Sequence, residues 1–385
     1  MLSLGIDCAQ LTHAFCLLDE TKQVLVEGTF PETQTGLAEL QAQLAAHGEP
    51  QAVTMEASGS CWQNLHAALK ALGWPVAAVD PVRARRYAQL LHPRHKTDQA
   101  DARSLAALGL EGERGSFPAS EPELLAHGLA RVVATRVHLI GQLHALVVVA
   151  NPALVACGWD LGAARSLAVL SQYPTTFHLR RARRLAQVRF GPRQKVGAQA
   201  GAALQEAARE ALCGAVLEGQ AQEIGFLVAQ IGACNRELAR LEAELTERLP
   251  EAARLDAIEG IGARTALIVC ACVPVSQLHS AKQAAAYAGL HPHRFESNGR
   301  SWTRLSKHGD AVVRTALCRA AFPVSQHNPL FRAFYLRLRE HGLTHRQALA
   351  GVAHKLMRIC YALLRDESDF SADYARGPRA AVQAS

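Results

Sequence analysis

Leu2-Ser3-Leu4-Gly5-Ile6-Asp7 opens the chain, followed by His13-Ala14-Phe15-Cys16-Leu17-Leu18-Asp19 and Gln23-Val24-Leu25-Val26-Glu27-Gly28-Thr29. Short apolar runs parted by a polar Asp19-Glu20-Thr21-Lys22 turn read as consecutive strands. Residues 35–47 carry helical spacing and stop at Gly48, a helix-end signal. Residues 52–55 read as a short buried strand that runs into Glu56-Ala57-Ser58-Gly59. A helix over 62–72, a strand over 75–79 and helices over 81–91 and 98–110 complete the segment. Three strands in a row, then alternating helix and strand, predict an α/β domain over residues 1–115, with helices packed on a mixed sheet.

Beyond it the periodicity turns helical. Residues 121–149 read as one long helix. Residues 163–191 are basic and mostly helical with a break at Pro174, and 192–201 read as a loop. Ile224, Leu227, Ile231, Cys234, Leu238, Leu241 and Leu245 alternate steps of three and four, a heptad seam about three heptads long. Charged outward positions (Arg236, Glu237, Arg240, Glu242, Glu244) favour a coiled coil or a contact with a second copy; the alternative is one helix of an intramolecular bundle. Residues 116–250 thus form a helical, coiled-coil region with a basic insertion, 251–370 an α-helical C-terminal domain, and 371–385 a flexible tail. Leu255 to Gly262 before the helix at 263–272 has the helix-hairpin-helix pattern, whose glycine turn can offer backbone N–H groups to a phosphate or serve as a plain tight turn.

Composition narrows the classes. Of 385 residues 49% are apolar, which suits folded domains and argues against a disordered chain. A net charge of +7 and a pI of about 9.0 suit a polyanionic partner without requiring one. Ten cysteines form no CxxC pair and no zinc-like spacing, and Cys8, Cys16, Cys157 and Cys360 sit in apolar runs. They read as buried free thiols of a cytoplasmic protein. The N-terminus lacks a signal peptide, and no uninterrupted apolar run reaches the ~18 residues of a membrane span. The longest candidate, 143–157, is broken by Asn151-Pro152, so no membrane is expected.

Four acids stand out by position. Asp7 ends the first strand, Glu56 ends a later buried one, and Asp98 and Asp101 lie three apart at a helix start. Asp98 and Asp101 would equally favour the helix dipole, and Asp7 could be a turn residue. Glu56 needs partners, because a carboxylate after a buried strand is costly alone. Converging carboxylates repel unless a cation sits between them, and oxygen-only ligands favour Mg²⁺ or Mn²⁺. One or two such ions serve phosphodiester cleavage, so the set predicts phosphoryl transfer on nucleic acid.

Gly5-Ile6-Asp7, Met55-Glu56-Ala57-Ser58-Gly59 with Trp62, and His95-Lys96-Thr97-Asp98-Gln99-Ala100-Asp101-Ala102 resemble the three acidic blocks of the DEDD insertion-sequence transposases. Leu255 to Gly262, Ala284 to Pro292, and Leu305-Ser306-Lys307-His308-Gly309-Asp310 with Arg314 resemble that family's second shared domain. The resemblance implies an RNase H-like N-terminal domain similar to the RuvC resolvase. It implies Mg²⁺ at Asp7, Glu56, Asp98 and Asp101, and a C-terminal serine that becomes covalently joined to DNA. It also implies a bridge RNA pairing with donor and target DNA, an active site shared between subunits of a dimer, and a tetrameric synapse. The serine belongs after Gly289-Leu290-His291-Pro292, where this chain reads Glu296-Ser297-Asn298-Gly299-Arg300-Ser301. Asn298 departs from the usual Ser-Gly; Ser297 is the first candidate, Ser301 the second and Ser306 the third.

Basic groups that could follow phosphates are Arg83, Arg86 and Lys96, then Arg180, Arg181 and Arg184, then Arg300, Arg304, Lys307 and Arg314. No base-reading motif is recognisable, which suits specificity delegated to an RNA. The rival enzyme is a RuvC-like structure-specific endonuclease that resolves junctions with metal-activated water. A non-enzymatic nucleic-acid binder with structural acids is the third reading.

Overall fold

The computed structural model describes residues 1–57, 61–91, 97–112, 120–212, 218–297 and 300–371, without the side chains of 218, 294, 295, 297 and 300–303. Ser58, Gly59, His95, Lys96 and the tail from 372 lie outside them. The chain divides into two compact units, Met1–Ala119 and Ser120–Ser385.

In the first unit β1 (Ser3–Asp7), β2 (Thr12–Leu18) and β3 (Val24–Pro31) form an antiparallel meander. The turn between β2 and β3 is fixed by Asp19, whose carboxylate accepts from the Thr21 and Gln23 amides at 2.9 Å. α1 (Gln34–Leu44) crosses over to β4 (Ala52–Glu56), which lies parallel to β1; α2 (Trp62–Ala71) then leads to β5 (Val76–Val79), parallel to β4. The sheet order is β3-β2-β1-β4-β5, mixed as expected. Both faces of β1 are covered, so Ser3 to Ile6 are all buried instead of alternating. Leu4 and Ile6 pack with Leu37, Leu40, Leu65 and Leu69 of α1 and α2. After α3 (Pro81–Leu91), α4 (Asp98–Leu110) covers the opposite face, where Ala102 and Ala106 meet Ala14 and Cys16.

The second unit opens with α5 (Glu121–Ala150), followed by α6 (Pro152–Ala156), α7 (Ala164–Gln172), α8 (Thr176–Arg180), α9 (Ala198–Glu210) and α10 (Glu218–Arg248). α5 is long and apolar enough to cross a membrane by length and composition, a correction to the short run read from sequence. One stripe of it, Leu129, Leu139, Leu143 and Val147, is buried in the protein, while 17% of its most apolar window is buried overall. The heptad residues of α10 are their partners: Ile224, Leu227, Ile231, Leu238, Leu241 and Leu245 are buried in the same two cores. The seam read as a contact with a second copy is thus filled within one chain. The periodicity was informative about burial and silent about the partner. α9 begins inside the stretch expected to be loop.

The remainder comprises α11 (Ala252–Asp256), α12 (Ala263–Cys272), α13 (Ala281–Tyr287), β6 (Pro292–Ser297), β7 (Arg300–Leu305), α14 (Ala311–His327), α15 (Pro329–Glu340) and α16 (His345–Arg365). It is mostly helical as expected, with one addition, the antiparallel β6–β7 hairpin. α16 starts in a Thr344–Gln347 capping box and buries Val352, Leu356 and Tyr361 against α13 and α14. Gly260, at φ +95°, closes the α11–α12 turn against α14. A Cβ there would fall 2.5 Å from the Val324 amide nitrogen. This glycine is accounted for by close packing, so the plain tight turn is the better reading of that motif.

Candidate active site

Asp7 is the last residue of β1 and Glu56 the last of β4. These strands are parallel neighbours with Ile6 opposite Met55, so the next residues, Asp7 and Glu56, leave adjacent strands at one sheet edge. Their side chains also share a face. Residues two apart in a strand point the same way, and Ser3 and Thr54 both face α4 across from Gly109. Ser3 Oγ donates to the Ala106 carbonyl at 2.7 Å, whereas Gly5 lies against Ala102 and Ala106. α4 therefore runs back along β1, which brings its N-terminus to the Asp7–Glu56 edge. Asp98 lies one turn before Ala102, and Asp101 one turn before buried Leu105.

Local chemistry fixes that helix end. Thr97 Oγ1 accepts from the Ala100 amide at 3.1 Å, and Gln99 Nε2 donates to the Gly28 carbonyl at 2.9 Å. Arg103 pairs with Glu27 of β3 through one edge of its guanidinium, Nε donating at 2.6 Å and Nη2 at 2.5 Å. Asp7, Glu56 and Asp101 are half-buried and Asp98 is exposed. The field at this edge is negative. Burial, then the charges of Asp7, Glu32 and Glu56, push the neighbouring Cys8 thiol up to about 12. An all-oxygen donor set on one edge, beside the positive end of α4, fits a hard divalent cation such as Mg²⁺ or Mn²⁺. Among the described residues, the group that brings three or more His, Cys or carboxylate ligand atoms within 4.8 Å of one another lies elsewhere, at His127, Cys272 and Asp310, and not at the four acids.

In the second unit Ser297 ends β6, paired with Arg300 of β7, and Glu296 pairs with Ser301. The hairpin's base is fastened by backbone bonds from Ser306 N to the His291 carbonyl (2.9 Å) and from Lys307 N to the Gly289 carbonyl (3.2 Å). Lys307 itself has φ +56°. Gly309, at φ +129°, lies so close that a Cβ would come within 2.8 Å of the Gly289 nitrogen. Arg314 Nη1 donates to the Lys307 carbonyl at 3.1 Å, and Asp310 Oδ1 accepts from the Val312 (2.7 Å) and Val313 (2.9 Å) amides as the cap of α14. Ser306 is half-buried in this base, while Arg304 and Lys307 are exposed. The side chains of Ser297, Arg300 and Ser301 lie outside the described residues.

The other basic candidates divide. Arg83, Arg86 and Arg184 are exposed. Arg181 stacks on Phe177 at 3.7 Å. Arg180 spends its guanidinium on the C-terminal carbonyls of α9, reaching Ala208 at 2.7 Å and Ala211 at 2.6 Å. Sequence reading missed the hairpin, although Asn298-Gly299 between Ser297 and Arg300 is the dipeptide that two-residue hairpins favour. It also missed His127, Cys272 and Asp310, whose proximity has no local signature.

Comparison with known proteins gives two family matches. A transposase model of the DEDD IS110 type matches residues 4–154, and the model described as Transposase IS116/IS110/IS902 family matches residues 252–336. The insertion element IS110 uncharacterized 43.6 kDa protein of Streptomyces coelicolor is 31% identical over 146 residues; that match spans only 36% of either chain. The pilin gene-inverting protein of Moraxella lacunata is 24% identical over 376 residues, 95% of this chain and 97% of its own. The insertion element IS116 uncharacterized 44.8 kDa protein of Streptomyces clavuligerus is 26% identical over 387 residues, 96% of each chain. The two models together take in more than half of the chain, one over the carboxylate unit and one over the hairpin module, and the chain belongs to the IS116/IS110/IS902 family of transposases, enzymes that recombine DNA.

Proposed function

We propose that this transposase cuts and rejoins donor and target DNA through a covalent serine–DNA link, with Mg²⁺ or Mn²⁺ held by Asp7, Glu56, Asp98 and Asp101. The observation that supports the reading is positional: Asp7 and Glu56 end adjacent parallel strands, and α4, which begins with Asp98 and Asp101, runs back along β1 toward that end. A bound ion there would lower the effective pKa of an attacking hydroxyl and offset charge on the phosphate. Ser297 is the proposed nucleophile, with Ser301 and then Ser306 behind it. Its Oγ–P bond forms as a P–O bond to the sugar breaks, and the hydroxyl proton ends on the departing sugar oxygen. The phosphoester linkage is conserved, so rejoining to a new strand needs no other energy source.

The same reading takes donor and target double-stranded DNA as substrates and a non-coding bridge RNA as the guide. It places the enzyme in the cytoplasm as a dimer that forms a tetramer in the synapse. Arg83, Arg86, Lys96, Arg181, Arg184, Arg300, Arg304 and Lys307 are the proposed phosphate contacts, sequence-blind because base pairing reads the sequence. Arg180 and Arg314, engaged with backbone carbonyls, act there through the loops they hold. The pilin gene-inverting relatives are named for inverting DNA, which needs two sites cut and exchanged, as insertion does.

The test is strand cleavage by the full chain with its co-purified RNA across a Mg²⁺ titration. Asp7→Asn and Asp98→Asn are expected to reduce cleavage by a factor on the order of 1,000 or more. Cleavage that persists in a chelator, or at wild-type rate in both variants, overturns the reading.

A further inference from the structure

The second unit holds a cluster that the recombination chemistry leaves unused. His127 of α5, Cys272 at the last turn of α12 and Asp310 at the cap of α14 offer one nitrogen, one sulfur and one oxygen within 4.8 Å of one another. His127 Nε2 lies 3.3 Å from Asp310 Oδ2, while Oδ1 of the same carboxylate is occupied by the cap bonds. Oδ2 is thus the oxygen left facing the cluster. Glu123 lies one turn before His127 on the same helix face.

We propose that His127, Cys272 and Asp310, with Glu123 as a fourth donor, form a site for a Zn²⁺-class cation that clasps α5 to the hairpin-bearing module. The donor chemistry selects the ion. One thiolate, one imidazole and carboxylates suit a borderline-soft tetrahedral cation, not Mg²⁺. Tetrahedral bonds of about 2.0–2.3 Å set ligand atoms roughly 3.3–3.8 Å apart, so rotamer adjustments of about an ångström close the set of three, and Glu123, outside that group, would have to swing in to join it. The electrostatics run the same way. Burial first, and then the charges of Asp310 and Glu123, hold the Cys272 thiol well above its ordinary value. Burial first, then Glu123 and Asp310, likewise raises the Tyr287 phenol beside it. The hydrogen bond to Asp310 raises the His127 imidazole, so a proton there already offsets part of this charge; a cation would take that proton's place and stabilise the Cys272 thiolate. Placement gives the clasp a purpose. Asp310 N donates to the Tyr287 carbonyl at 2.8 Å, and Asp310 follows directly on the Lys307–Gly309 segment that fastens the base of the Ser297 hairpin.

The experiment uses the full chain, stripped with chelator and titrated with Co²⁺ and Zn²⁺. Co²⁺ should give a near-ultraviolet thiolate-to-cobalt charge-transfer band that saturates at one equivalent and is displaced by Zn²⁺. The all-oxygen carboxylate edge of the first unit cannot produce that band. Cys272→Ser should abolish it. Asp310→Asn keeps an oxygen for the α14 cap, so the fold is retained, and should weaken Co²⁺ affinity about 10- to 100-fold. Stoichiometric binding without a thiolate band, an unchanged band in Cys272→Ser, or full affinity in Asp310→Asn would overturn the proposal. The cluster would then be a hydrogen-bonded helix cap and nothing more.

Discussion

Gly5→Ala is the sharpest perturbation of the carboxylate edge that touches none of its acids. A Cβ at residue 5 would fall 2.9 Å from the Ala106 Cα and closer still to the Ala102 carbonyl oxygen and the Ala106 amide. Carbon atoms rest at about 3.5–4.0 Å, so α4 would have to retreat by roughly an ångström. All of the obstacles are helix backbone, which has no rotamer to yield. Overpacking of this kind costs typically 1–3 kcal/mol, and rigid obstacles put this site at about 3. For a unit of this size that lowers the melting midpoint by roughly 10 °C. The retreat also carries Asp98 and Asp101 away from Asp7 and Glu56, so metal-dependent cleavage should fall by more than stability loss alone explains, even at a temperature where the variant is fully folded. Calorimetry of the full chain, with Gly141→Ala as the control, reads the first effect. Gly141 has nothing within 4 Å of a built Cβ and sits mid-helix in α5, so alanine there should be neutral or stabilise by up to about 1 kcal/mol. A Gly5→Ala variant that melts and cleaves like the wild type would refute the close approach of α4 to β1.

Three further variants test other contacts. Arg180→Ala should destabilise the α8–α9 packing by about 1.5–3 kcal/mol, the worth of charged hydrogen bonds, and leave the salt dependence of DNA binding nearly unchanged. Arg184→Ala should do the reverse, lowering the slope of log affinity against log salt by about one; equal salt slopes in the two variants would contradict this division. The Arg103 hydrogen bond holds the Glu27 carboxyl below its ordinary range, so the pair's contribution is complete above the unfolded carboxylate pKa and is lost as pH falls through the lower folded value. Because both side chains are about a third exposed or more, the contribution should not exceed about 1 kcal/mol. Stabilities of wild type and Glu27→Gln should differ at pH 7 and draw together only as the pH falls below the ordinary carboxylate range, and a gap that widens in acid would reverse the sign.

Legibility in the sequence followed locality. The meander, the crossover helices and the places of Asp7, Glu56, Asp98 and Asp101 at strand ends and a helix start were readable, because strand alternation and helix-end signals are written within a few residues of one another. The burial of Ile224 to Leu245 was readable from the heptad spacing, but the partner was not, because a seam encodes that it is covered and not by which helix. The Ser297 hairpin was signalled by Asn298-Gly299 and passed over because helices surround it. Arg180 was grouped with its charged neighbours, since nothing local marks a guanidinium that bonds to carbonyls some thirty residues away. His127 and Asp310 are 183 residues apart, and only the packing of α5 against the C-terminal module brings them together.

The central claim is that strand exchange passes through a serine joined to DNA at a metal-dependent site. It is tested most directly by incubating the full chain, its co-purified RNA and Mg²⁺ with labelled donor and target DNA, and resolving the products on a denaturing protein gel. The account predicts a labelled protein–DNA adduct that is lost in both Ser297→Ala and Asp98→Ala. Cleavage without any adduct, surviving Ser297→Ala, would contradict it and point to hydrolysis by metal-activated water.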